Sequence, residues 1–355
     1  MPYFTAPIVV PPCPPNFGIP LYEEGTRTWF DLGPLVYWVN ARHRIYLRKM
    51  ALEIRTPPPQ YAPIFPLVED RTWTRERRTD DPILNDLKFC NAFRELDKGT
   101  IWIRENIREP FADHPFLWLM LGIGRQINRT ETLAMLINTP GCWPSHDNFS
   151  PENMTAALNA WQDSGEKVYT GAYMIRAENQ KGKPWYSWRK NKYMSEIVVG
   201  KLWQYREFFI ELLETGVWPG MNRETNPSLY QTWSALKEFY GWGPFMSGQA
   251  VTDMRHTRYL DTAYDRADWA AVGPGSARGL NRLIGRDKDT TVDQLTGLRW
   301  MRALQKELPK HLGAHVPQEI ELTDIQSMLC ETDKYLRVKN GEGKTRAKYE
   351  PRRSS

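Results

Sequence analysis

The chain has 355 residues, of which 41% are hydrophobic and 12% aromatic, so it can bury one large or two ordinary cores and is not a disordered polypeptide. Its formal net charge of +5 is unevenly placed: residues 334–355 carry eight Lys/Arg and two Asp/Glu, which leaves the rest neutral at 39 against 40. Four scattered cysteines without CxxC or Cys/His spacing argue against a disulfide framework or a zinc site, and no apolar run reaches the ~18 residues of a membrane helix.

Residues 1–20 hold seven prolines and no basic-then-apolar leader, so they are expected to form an arm of a cytoplasmic protein with no membrane partner. The arm is taken to residue 32, with 28–32 leading into the first helix. From Gly33-Pro34, the spacing of Leu35, Val36, Val39, Tyr46 and Met50 predicts a helix whose remaining surface bears Arg42, His43, Arg44, Arg48 and Lys49. That surface is either a phosphate-backbone face or an ordinary solvated one. The string TPPPQYAPIFP at 56–66 is a loop, and a second basic cluster follows at 71–78. Thr79-Asp80-Asp81-Pro82 starts a helix expected to run to about residue 107, with Phe89, Phe93, Leu96, Ile103 and Ile107 as its core stripe. Arg94 and Asp97 fall on the adjacent face.

Residues 116–137 read as a buried helix or helix pair with a polar break, and 151–164 as another helix. Residues 170–186 are the candidate for the only strand or hairpin. Helices near 195–215, 227–240, 243–257, 291–308 and 317–338 follow, with no internal repeat and no βα alternation. The class is therefore mainly α with at most a small β element. The domain expectation is a Pro-rich arm at 1–32, a helical catalytic domain at 33–338 in one lobe or two with the site between them, and a basic tail at 339–355. The tail either tracks a phosphate backbone or merely solubilises the end.

Residues 243–283 carry the most informative pattern. Phe245, Gln249, Asp253 and His256 recur at spacings of four, four and three, giving a helix one polar face. Val272-Gly273-Pro274-Gly275-Ser276 is a tight turn leading into Ala277, Leu280 and Leu283 at helical spacing, so backbone N–H groups converge where a phosphate can bind. No nucleotide-binding loop is present: Gly341-Glu342-Gly343-Lys344-Thr345 has Val338 where the first glycine belongs, and the hairpin lacks the lysine. ATP hydrolysis is not expected.

Several strings, in order, carry a family resemblance: NARHRIYL at 40–47, DDPIL at 80–84, FRELDK at 93–98, GPF at 243–245, TDMR at 252–255, GPG at 273–275, RGL at 278–280 and LCETDKY at 329–335. Across roughly residues 35–350 the chain resembles the phage α-glutamyl/putrescinyl thymine pyrophosphorylases, or amino acid:DNA transferases, and the related helical domain of 5-hydroxymethyluracil DNA kinases. The resemblance implies a helix-hairpin-helix, DNA-glycosylase-like fold acting on a base in double-stranded DNA. It implies an upstream hydroxymethyluracil kinase as supplier of the substrate and a bacterial host cytoplasm as location. It also implies a reaction in which an amino acid or polyamine displaces pyrophosphate from the 5-methylene of a uracil base.

Such chemistry needs cations on the departing phosphates, a carboxylate to accept the ammonium proton, and a base held outside the stack. Asp253 is the first candidate for proton acceptor, followed by Glu95, Asp97 and Asp293, with Arg94 beside them. The alternative for Asp253 is a buried carboxylate paired with Arg255 or Arg94. Arg94, Arg255 and Arg278, with Gln249 and Arg44, are candidates for substrate and pyrophosphate contacts. Gly273, Gly275, Ser276 and Lys334 are candidates for the DNA backbone, though an ion pair also explains Lys334. Asp293, in a Val-Asp pair 18 residues after Gly275, fits a glycosylase aspartate or a plain helix cap. Ala277 replaces the lysine of bifunctional glycosylases, so Schiff-base chemistry is disfavoured. No metal or cofactor is indicated, although a divalent cation on the pyrophosphate is compatible with the chemistry. The competing functions are a monofunctional glycosylase and a non-catalytic module that recruits a kinase to DNA.

Overall fold

In the computed structural model, which describes residues 11–52, 73–74, 76–170, 182, 189–215, 227–343 and 348–349, the chain is mainly helical with one small two-stranded sheet. It divides into two units: the first joins Met1–Arg94 to Val272–Ser355, and the second is Glu95–Ala271.

In the first unit, β1 (Pro20–Glu23) pairs antiparallel with β2 (Thr28–Asp31), Leu21 opposite Phe30. Residues 28–32 were expected to lead into a helix. They form a strand because Thr28, Trp29 and Phe30 suit a half-buried pleated surface, and the turn is tied by Glu23, which accepts from the Gly25 and Thr26 amides. The small β element therefore sits at 20–31. The 170–186 stretch proposed for it lies almost wholly outside the described residues, as do the whole of the 56–66 loop, the first part of the 71–78 cluster and most of the tail. Asp31 Oδ1 accepts from the Gly33 amide at 2.9 Å, and α1 (Gly33–Leu52) begins there. Leu35, Trp38, Val39, Ile45 and Leu47 are buried, and α1 packs on α14 (Leu322–Lys339).

The long helix expected from residue 82 does not form. Asp81 caps α2 (Pro82–Asp86) by accepting from the Ile83 and Leu84 amides, and the chain is already extended at Leu87. Asn91 then accepts from the Phe93 amide at 3.2 Å, Arg94–Leu96 is a short 3-10 turn, and Asp97 caps a new helix, α3 (Lys98–Ile103). Local side-chain bonds of this kind compete with the helical ladder, and here the chain follows them. The expected apolar stripe is split accordingly, with Phe89 and Phe93 buried in one unit and Ile103 and Ile107 in the other.

The rest of the first unit is α12 (Pro274–Leu283), α13 (Gln294–Glu307) and α14. The seam between α12 and α14 is very close: a Cβ at Gly279 would lie 2.4 Å from the Leu329 carbonyl oxygen, and one at Gly275 2.8 Å from Cys330 Sγ. Asp333 in the seam accepts from Arg278 at 3.0 Å and Arg282 at 2.8 Å, and Arg282 also forks onto Glu342.

The second unit is built on α4 (Leu117–Ile127), every residue of which is buried. Asn128, in the left-handed region at φ 48°, separates it from α5 (Thr130–Asn138), so residues 116–137 are a helix pair. The unit continues with α6 (Pro151–Asp163), α7 (Lys190–Lys192) running into a π-helical Tyr193–Val199, α8 (Gly200–Gln204), α9 (Arg206–Thr215) and α10 (Leu229–Leu236). α11 (Pro244–Met254) packs on α4. All of Ser247–Met254 is buried, so the polar face of Gln249 and Asp253 points into protein. No helix among the described residues is long and apolar enough to cross a membrane.

Candidate functional site

The polar face of α11 ends in a network confined to the second unit. Asp253 is fully buried and receives the Arg125 guanidinium edge-on: Nη2 donates to Oδ1 at 2.7 Å and Nε donates to Oδ2. Arg125 Nη2 also donates to Thr100 Oγ1 at 2.9 Å. A two-pronged pair of this kind fixes both side chains in plane. Arg125 is the only charge on α4, so burial of that helix forces it to find a counter-charge.

One turn further on, Arg255 at 1% exposure donates from Nε to His256 Nε2 at 3.1 Å. Burial, helped by the Arg255 charge, pushes His256 down to about 4, so it is neutral near pH 7. With Nε2 accepting, the ring proton belongs on Nδ1. Glu95 Oε1 lies 3.4 Å from the same Nε2, and Glu95 accepts a fork from Arg108 at 3.1 and 2.5 Å with Arg104 at 3.8 Å. Burial pushes the Glu95 carboxyl up, but the Arg108 hydrogen bond and charge outweigh it, joined by His256 once that ring is protonated in acid, so it stays below its usual value. The Asp253 charge opposes that shift, placing the two carboxylates within each other's field.

Arg104 and Arg108, four residues apart, converge on Glu95 from a π-helical turn, in which the Glu109 amide donates to the Arg104 carbonyl at 2.9 Å. Wide turns of this type cost helical regularity and are frequent at functional sites. Four guanidiniums, two carboxylates and a neutral imidazole are thus held together, with Glu95 and His256 partly exposed at 28% and 19% of their side chains.

Other sequence candidates stand elsewhere. Asp97 accepts from Gly99 as the cap of α3. Arg94 belongs to the first unit, where its amide donates to Asp324 Oδ1 at 2.9 Å. Asp293 is the cap of α13, accepting from the Thr296 amide at 2.9 Å, and that bond holds its carboxyl below the usual range. Gly273 caps α12. Its amide donates to Ser276 Oγ, and that hydroxyl lies at hydrogen-bond distance from the Gly273 carbonyl. Arg278 is engaged with Asp333, Lys334 donates to the Lys88 carbonyl at 2.7 Å and to Glu331 at 3.1 Å, and Arg44 is exposed on α1.

Arg125, Arg108, Arg104 and Thr100 were not singled out from the sequence. Arg125 had a signal, a lone charge ending the apolar run FLWLMLGIG; Arg104 and Arg108 had only a four-residue spacing. A shallow recess of about 410 Å³ in the same unit, lined by Asn138, Pro140, Ser145, His146, Asp147 and Asn148, shares no residue with the network. Among the described residues no group of three or more His, Cys, Asp or Glu is disposed to hold a metal ion.

Residues 68–345, a span that contains every candidate above except Arg44, match the family described as the 5-hmdU DNA kinase, helical domain. The chain belongs to this family. Among relatives of the helical-domain family, the 5-hmdU DNA kinase of Bacillus phage SP10 is 24% identical over 267 residues, covering 73% of this chain and 40% of its own length. The chain therefore spans less than half of that relative. No solved structure matches.

The network gives this helical domain a defined acid response. His256 takes up a proton at its ordinary 6.5 when unfolded but only at about 4 when folded, so stability falls as the pH drops from 6.5 towards 4. Glu95, depressed in the fold, contributes stability above its unfolded value, which is lost as pH falls through the folded one. His43 in the first unit, driven down to about 3 by burial, acts in the same direction as His256. Thermal unfolding measured between pH 7.5 and 4.5 should show a falling midpoint, and the fall should be shallower in His256→Gln.

Proposed function

We propose that the chain acts in thymine hypermodification of DNA, displacing pyrophosphate from 5-(pyrophosphoryloxymethyl)uracil with an amine or amino acid. The observation that carries this reading is the arginine and carboxylate network of Glu95, Arg104, Arg108, Arg125, Asp253, Arg255 and His256, inside the stretch that matches the helical-domain family. The C–O bond between the 5-methylene and the pyrophosphate breaks with its electron pair leaving on phosphate oxygen. The amine lone pair forms the C–N bond, and the nitrogen then sheds a proton.

Within this reading Asp253 is a positioning residue: buried and forked by Arg125, it sets the end of α11. Glu95 is the proton acceptor, because its side chain is reachable whereas that of Asp253 is 1% exposed. Its low basicity suits a proton that becomes acidic only once the C–N bond has formed. Arg104 and Arg108 supply positive charge for the leaving pyrophosphate, a task suited to bidentate guanidinium donors, while Arg255, 1% exposed, acts only through its field and its bond to His256.

A second reading has its own support. The family is defined by the helical part of kinases, and the chain spans 40% of the phage relative, which fits a DNA-binding module that brings a kinase to its substrate. Incubating the protein with DNA carrying the pyrophosphorylated base separates the two. Transfer predicts pyrophosphate release that depends on added amine and is lost in Glu95→Gln, whereas the module predicts binding without release.

A further inference from the structure

Three basic segments that are far apart in sequence meet on the first unit. Arg42, Arg44, Arg48 and Lys49 lie along α1, with Arg44 and Lys49 exposed. Arg48 donates to the Arg78 carbonyl at 2.8 Å and lays its guanidinium 3.4 Å from the centre of the Trp73 ring; Arg77 approaches the same ring at 5.8 Å. Arg78 is inserted against the carbonyls of Leu84 and Asn85 and stacks 3.3 Å from the Tyr349 ring. Tyr349 donates its amide to the Asp86 carbonyl at 2.9 Å, and its neighbour Lys348 bridges to Leu87. Residues 348–349 are thereby fastened beside Arg78 and the end of α2.

We infer that this convergence of α1, the 73–78 turn and the 348–349 anchor forms a second contact for the phosphodiester backbone of DNA, separate from the start of α12. The inference rests on the reading of the chain as a DNA-acting protein. Acidic neighbours are fewer than the basic ones: Asp80 pairs with Arg77 at 2.7 Å, Asp81 is taken up by Tyr37 and Tyr335, Asp86 sits beside Arg78 and the 348–349 anchor, and Glu76 is exposed. Burial, with the Arg42 charge and against Tyr349 and Asp86, brings Arg78 down to about 10. A guanidinium stacked on a ring uses its face and keeps its in-plane N–H edge as the direction for oxygen ligands. A lipid surface is the weaker match, because membrane-surface helices pair their cations with an exposed apolar face, and the large exposed hydrophobics of this unit are Tyr37 and Leu295 alone among the described residues.

The test is binding of the full chain to a short, labelled, unmodified duplex across a salt series, which does not depend on any chemistry. Arg44→Gln/Lys49→Gln/Arg77→Gln changes three exposed side chains and should leave the unfolding midpoint unchanged. It should weaken binding at least ~10-fold and lower the salt slope by roughly 2–3, close to one per lost phosphate contact. Wild-type affinity and slope in the triple variant would overturn the surface while leaving the DNA reading intact. No duplex binding by the wild type would sink both. Loss of binding to phosphatidylserine vesicles with unchanged DNA binding would reassign the surface to membranes.

Discussion

Asp253→Asn is expected to destabilise the second unit by about 3–5 kcal/mol, the scale for leaving one member of a buried ion pair without its partner. Asparagine has nearly the shape of aspartate, so packing is kept. It loses the negative charge, however, and turns an N–H group towards one prong of the Arg125 fork, where Nε and Nη2 both donate. Arg125 has only 4% side-chain exposure, so solvent cannot replace the lost charge. The double change Asp253→Leu/Arg125→Met removes both charges and should recover most of the stability, since apolar replacement of a buried pair is often neutral or favourable. Denaturant unfolding of the two variants gives the energies. Pyrophosphate release then shows whether the pair matters beyond folding: a stable double variant without transfer marks it as positioning the network, and one with wild-type transfer confines it to stability. An Asp253→Asn protein that unfolds like the wild type would contradict the geometry outright.

The second large effect concerns the glycine turn and α12. Gly279→Ala would put a methyl 2.4 Å from the Leu329 carbonyl oxygen and 2.9 Å from its carbon, both backbone atoms of α14. A backbone neighbour cannot rotate away as the tip of a side chain can, so the two helices must separate and disturb the Asp333 bonds to Arg278 and Arg282. A cost of about 3 kcal/mol is expected, the upper part of the usual overpacking range. Gly343→Ala is the control: its nearest neighbour would be Arg337 Cδ at 3.5 Å, ordinary contact, and the change should stay within about 0.5 kcal/mol. Measured thermal midpoints in this order support a packing role for Gly279 in the RGL string. Equal midpoints for the two variants would refute the close seam.

The helical class was legible because periodicity and capping are local. Asp81 before Pro82 and Ser150 before Pro151 cap helices as their sequence suggests, each side chain accepting from the first turn. The break between residues 86 and 98 was hidden for the same reason: an apolar stripe continues through Phe89 and Phe93, while the bonds that interrupt it come from Asn91 and Asp97 side chains that can point either way. The hairpin at 20–31 was masked by the prolines in front of it.

The network was half legible. Asp253, Glu95 and Arg255 stood out as candidates, and His256 shared the face of Asp253, but Arg125 lies 128 residues from Asp253, and nothing local selects that partner. Nor could spacing show that Met1–Arg94 folds with Val272–Ser355, which assigns Arg94 and Glu95, adjacent in sequence, to different units. Contacts made by helix packing across the chain decide both.

The most direct measurement is the mass of the nucleosides released by digesting pyrophosphorylated hydroxymethyluracil DNA after incubation with the protein and a mixture of amino acids and polyamines. The account predicts a thymidine derivative carrying the amine on its 5-methylene in place of pyrophosphate, formed in step with pyrophosphate release. A free base with an abasic site would mean glycosylase action, and an unchanged nucleoside on DNA that the protein demonstrably binds would mean a recruitment module; either result contradicts the proposed transfer.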